Sequence, residues 1–133
     1  MPGISNSSTS WRLRSFVDKK TGRPNHQLYV RIDYTGDWIF FERAATDKAE
    51  PLEIRPIDRR VNDCGAYSGE CSHTEDFVIE LGGNILKERS SQGFAIKASG
   101  HSGASMVMEV APNQITQQLV TIDSLRLGME HEE

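Results

Sequence analysis

Cys64-Gly65-Ala66-Tyr67-Ser68-Gly69-Glu70-Cys71 decides how this chain is read. It holds both cysteines, and its glycines flank a turn between two runs that alternate like β-strands. The spacing is that of a hairpin closed by a disulfide, which in the loop-entropy picture constrains the unfolded chain by about 2–3 kcal/mol. Such a bond belongs to an oxidising compartment. Upstream, Leu52 and Ile54 share one parity whereas Ile57, Arg59 and Val61 share the other. The pattern breaks at Pro56, which cannot donate to a ladder, so a bulge or an edge position is expected there. Downstream, Phe77, Ile79 and Leu81 alternate with Asp76, Val78 and Glu80 in a strand that ends at Gly82-Gly83.

Further strands follow outward from this hairpin. Trp11 to Val17 alternates apolar and basic residues, a polar turn runs from Asp18 to Asn25, and Leu28, Val30, Ile32 and Tyr34 share one face. Trp38-Ile39-Phe40-Phe41, apolar on both faces, reads as a central strand, and Ala44 to Pro51 as a polar connection. Asn84 to Ser91 has room for a helical turn or two, with Asn84 as cap and Ile85 and Leu86 inward. Gly93 to Ala98 and Ser105 to Val110 are two more strands, joined by a turn of small residues. Beyond Pro112 the period changes: Ile115, Leu119 and Ile122 form a helical stripe to which Val120 and Leu125 add, predicting an amphipathic helix from Asn113 to about Arg126. The expected fold is mainly β (α+β): an antiparallel sandwich or barrel-like sheet of about seven strands with a short helical insertion and a C-terminal helix. Residues 1–10 read as a flexible tether, 11–127 as a single β-rich domain, and 128–133 as a frayed tail.

A chain of 133 residues suits one domain. Its 37% hydrophobic and 26% charged residues are those of an ordinary globule, and no apolar run is long enough to cross a bilayer. The net charge of −4 conceals an asymmetry: residues 1–60 carry 11 Lys+Arg against 8 Asp+Glu, residues 61–133 carry 4 against 11. Interleaved antiparallel strands need not turn this into two poles, and it gives no support for nucleic acid as partner. Arg12, Arg14, Arg31, Arg55 and Arg59 mostly alternate with apolar residues, as on a solvated sheet face laced by ion pairs. The first ten residues carry neither a basic nor an apolar signal region, and resemble a tether downstream of a processing site.

Few constellations suggest chemistry. A redox pair needs close cysteines such as Cys-x-x-Cys at a helix start, and a hairpin does not supply that. A metal reading takes Cys64, Cys71 and His73 with His101 or His26, yet Cys-x6-Cys-x-His is not the spacing of known structural zinc sites. His101 has Ser102 and Ser105 nearby without a nucleophile elbow. Glu70, Glu75, Asp76 and Glu80 lack calcium-loop spacing, and Asp76 and Glu80 read as outward-facing. Trp38, Phe40 and Phe41 suit a core strand better than a ligand groove. No catalytic residue, cofactor or metal is assigned.

Through Asp58-Arg59-Arg60-Val61, the cysteine loop and Cys71-Ser72-His73-Thr74-Glu75-Asp76-Phe77, the chain resembles small uncharacterised envelope proteins of proteobacteria, many of them predicted lipoproteins. The likeness spans roughly Leu28 to Leu125 and implies an exported, periplasmic or outer-membrane-associated location, with no activity to carry over. The expected function is therefore a non-enzymatic interaction or accessory module with a protein partner in the envelope. Its contact site would be the tied loop from Asp63 to Glu75, through Tyr67, Glu70, His73 and Glu75. The rival expectation is a small-ligand or metal-binding protein using Cys64, Cys71, His73 and His101.

Overall fold

The computed structural model describes residues 7–65, 70–82, 84–101 and 103–130, the last five of these by backbone alone. Its first sheet is built from β1 (Ser8–Val17), β2 (Pro24–Thr35), β5 (Ile54–Cys64) and β6 (Cys71–Leu81), in the order β1-β2-β6-β5. The second contains β3 (Arg43–Thr46), β4 (Pro51–Leu52), β7 (Phe94–Ser99) and β8 (Ser105–Val110), in the order β4-β3-β7-β8. Every strand pairing is antiparallel. The helices are α1 (Ile85–Glu88) and α2 (Pro112–Glu130). Among the described residues there are thus eight strands in two packed sheets, a sandwich-like α+β fold without barrel closure.

Register explains how the core forms. Leu28 stands opposite Ile79 and Val30 opposite Phe77, so alternate residues of β2 and β6 meet on one face. Trp11 and Leu13 of β1 face the same way beside Val30 and Leu28. These residues join Phe94, Ile96, Ala98, Met108 and Val110 of the second sheet in a single apolar cluster. Each large aliphatic or aromatic side chain so buried contributes about 1.5–3 kcal/mol. The opposite face of the first sheet is polar: Arg12 and Arg14 lie over Tyr29, and Arg31 pairs with Asp76 at 2.7 Å. Asp76 does face outward, but Arg31 and Arg60 cover it to 3% exposure.

Several elements differ from expectation. The aromatic run Trp38 to Phe41 is not a strand; residues 36–42 form an irregular segment that plugs the sandwich, with Ile39 and Phe41 buried. The backbone of Phe40 lies at φ 55, in the left-handed region, which breaks any extended path. The strand instead comes from Arg43–Thr46, inside the stretch read as a connection, where small Ala44 faces Ala98 across the ladder. β1 begins at Ser8 and so takes in three residues assigned to the tether. The α2 backbone continues to Glu130, past the expected end near Arg126.

On α2, Ile115 and Ile122 are buried and Leu119 packs against the core, but Val120 and Leu125 stay exposed because they lie about 100° around the helix from the buried stripe. Ile85 and Leu86 of α1 are buried as expected. Asn84 holds the N-cap position without a side-chain bond, since its φ of −106° and ψ of −10° are helical rather than extended.

Candidate functional site

The hairpin of β5 and β6 contains two register shifts, one between Pro56 and Asp58 and one between Val61 and Asp63. The first inserts Ile57 without a partner and changes which β5 residues face inward. Ile54 faces Ile79 on the core side before the shift; Arg59 faces Glu75 and Val61 faces His73 after it. Glu75 shares the inward face with Phe77, Ile79 and Leu81, and is 1% exposed.

A buried carboxylate is costly unless its oxygens are occupied, and those of Glu75 are. It accepts hydrogen bonds from the Tyr34 hydroxyl at 2.6 Å, the Phe40 amide at 3.2 Å and the Phe41 amide at 3.1 Å, and Arg59 Nε lies 3.3 Å away. Burial, and then the hydrogen bond to Glu75, hold the Tyr34 phenol well above its ordinary pKa. Tyr34 Oη also accepts the Ile39 amide at 2.8 Å. One carboxylate and one phenol therefore bind three successive amides of the 36–42 segment and hold Phe40 in its strained conformation. Gly100 completes the clamp: a Cβ there would lie 2.1 Å from the Ile39 carbonyl oxygen, so only glycine admits this approach.

Fixed in this way, Trp38 and Phe40 stack at 5.2 Å. The ring of His73 lies 4.0 Å from that of Trp38, His101 meets Phe40 edge-on at 5.8 Å, and Arg59 sits over Phe40 at 4.9 Å. Between this wall and the Cys64–Cys71 pair of the hairpin runs an open groove of about 510 Å³, lined by Gly36, Asp37, Trp38, Val61, Cys64, Glu70, Cys71 and His73. Cys64 and Cys71 stand opposite one another and are joined by a disulfide. His73 is 5% exposed, and its Nδ1 has no hydrogen-bond partner among the described residues.

Of the residues singled out from sequence, Glu70 and His73 therefore meet at the groove. Glu75 lies deeper on the same face, engaged by internal partners rather than offered to a ligand. Tyr67 lies outside the described residues. The rival metal reading loses both thiolates to the disulfide. His101 pairs with Glu42 at 3.2 Å and is separated from His73 by the Trp38–Phe40 stack, so the two imidazoles do not converge. Among the described residues no cluster of three His, Cys, Asp or Glu is placed to hold a metal ion. Sequence reading did not single out Asp37 or Val61 as groove residues, and it preferred a core strand to a groove for Trp38. The inward position of Glu75 had a usable signal in its shared parity with Phe77.

No family model, curated protein or solved structure matches the chain. Among the described residues no helix is long and apolar enough to cross a membrane.

Proposed function

We propose that this chain is an exported, non-enzymatic binding module of the bacterial envelope, and that it engages a protein partner through the groove beside its tied hairpin. The observation that carries this reading is the construction of the groove. One wall is pinned by a buried carboxylate and the other is closed by a disulfide, so little conformational entropy is lost when a partner docks. The disulfide also supports export. The non-enzymatic reading is supported by the engagement of both Glu75 oxygens with internal donors, which turns this carboxylate to the fold rather than to a ligand.

The test is site-specific photocrosslinking in the native cells, with p-benzoylphenylalanine placed at Val61 on the groove or at Lys97 on the exposed face of β7. The expected result is one discrete adduct from Val61, lost on Trp38→Ala, and none from Lys97. Adducts from both positions, or from neither, overturn the reading.

A further inference from the structure

We infer that the β1–β2 hairpin seats the chain on the surface of an anionic phospholipid bilayer, an interaction that goes beyond the binding reading above and uses no groove residue. Residues 11–25 hold five cations, Arg12, Arg14, Lys19, Lys20 and Arg23, against one carboxylate, Asp18, in a chain whose net charge is −4. Asp18 is turned back into its own turn, where it accepts the amides of Lys20 at 2.8 Å and Thr21 at 3.4 Å. Among the described residues none of the five cations reaches a carboxylate, whereas Arg31, Arg55 and Arg60 of the same sheet are each ion-paired.

Register places these charges at a projecting end. β6 stops at Leu81, opposite His26, so Phe16, Asn25 and the turn beyond them run past the sheet's third strand. Strand parity puts Phe16 on the outward face with Arg12 and Arg14. It is 45% exposed, and Arg14 lies over its ring at 5.4 Å. A ring against the plane of a guanidinium leaves the N–H edge to an anion. An exposed aromatic set among cations fits a lipid–water interface, where the ring enters the acyl boundary and the cations meet lipid phosphates. Lys19, Lys20 and Arg23 are exposed on a turn, which matches many phosphates spread over a plane rather than one shaped ligand. Because the rest of the chain is acidic, the same surface repels it and turns the hairpin to the bilayer.

The test is co-sedimentation of the full chain, disulfide intact, with vesicles of phosphatidylcholine containing about one part in four phosphatidylglycerol, against vesicles of phosphatidylcholine alone, at low salt. Binding is expected to the anionic vesicles only, and to fall as salt is added. Lys19→Gln combined with Lys20→Gln should weaken it roughly ten- to thirtyfold. Phe16→Ser, at an exposed position, should weaken it about threefold or more. Lys48→Gln combined with Lys97→Gln makes the same charge change at exposed positions of the second sheet and should alter binding less than about twofold. No binding to anionic vesicles, equal binding to both compositions, unchanged binding of Phe16→Ser, or equal weakening by the two lysine pairs overturns the proposal. So does retention on poly-glutamate that depends on Lys19 and Lys20 while the vesicles leave the chain in solution, a result that would give the hairpin to an acidic polypeptide.

Discussion

Arg59 Nε stands 3.3 Å from Glu75 Oε1 because Ile57 is one residue too many for its ladder. Without that insertion the parity set by Ile54 would continue, and Arg59 would project from the polar face of the sheet instead. The bulge thus brings a guanidinium to the rim of the core at the level where Glu75 enters it. That carboxylate in turn shapes the 36–42 segment and one wall of the groove.

Glu75→Gln keeps the size of the side chain but removes its charge and half its acceptor capacity. Hydrogen bonds to a charged group contribute about 1.5–3 kcal/mol, so the variant should lose stability on the order of 2–4 kcal/mol in urea unfolding. Asp58→Asn alters an exposed pair with Arg60 and should change it by less than about 1 kcal/mol. Equal losses in the two variants would contradict the internal role given to Glu75.

Ala49 adopts φ 62 in an exposed turn, and its amide bonds to the Thr46 carbonyl at 2.9 Å. A left-handed backbone costs an L-residue about 1–2 kcal/mol, partly offset by the greater unfolded freedom of glycine. Ala49→Gly is therefore expected to raise stability by about 0.5–1 kcal/mol and to raise the Tm. Gly22→Ala, at φ 72 with open space around the added methyl, should lower stability by about 1 kcal/mol.

Much of this architecture was legible from period alone. Leu28, Val30, Ile32 and Tyr34 announce β2, and the parity break at Pro56 marks the insertion that the ladder places at Ile57. The paired cysteines mark the hairpin. The aromatic run misled because its conformation is not local: the Phe40 and Phe41 amides are held by a carboxylate 35 and 34 positions away. Four apolar residues in a row fit a buried strand as well as a plug, and period cannot separate the two. Arg43–Thr46 was hidden for the opposite reason, since two alanines carry little hydrophobic signal. The groove depends on that same long-range clamp, so Asp37 gave no sign of belonging to it, and Trp38, weighed for a ligand groove, read more readily as core.

The packing of α2 separates neighbours on one helix. Ile115 is fully buried and Val120 is 60% exposed. Ile115→Ala should cost about 2–4 kcal/mol in thermal or urea unfolding, and Val120→Ala less than about 0.5 kcal/mol. Similar costs would contradict the face assigned to the helix.

His26 is 1% exposed, with Ser15 Oγ 2.6 Å from its Nδ1. Burial first, and then the charge of Lys87, lower its pKa from 6.5. Above pH 6.5 the imidazole is neutral in both folded and unfolded chains. As pH falls below 6.5 the unfolded chain takes the proton first, so stability present above that pH is lost towards the lower folded value. This group contributes at most about 1.4 kcal/mol per pH unit. His26→Gln should flatten that part of the stability profile, and an unchanged slope would contradict the burial assigned to His26.

Rigidity of the groove wall is the claim on which the functional reading rests, and amide hydrogen exchange at Phe40 and Phe41 tests it most directly. Both amides donate to Glu75 without belonging to any strand. In the unaltered chain they should exchange far more slowly than the amide of exposed Asp37. In Glu75→Gln they should accelerate more than the amide of Val30 in the core of β2, marking local release rather than global unfolding. Exchange of Phe40 and Phe41 as fast as Asp37 in the unaltered chain, or acceleration no greater than that of Val30 in the variant, would contradict the account.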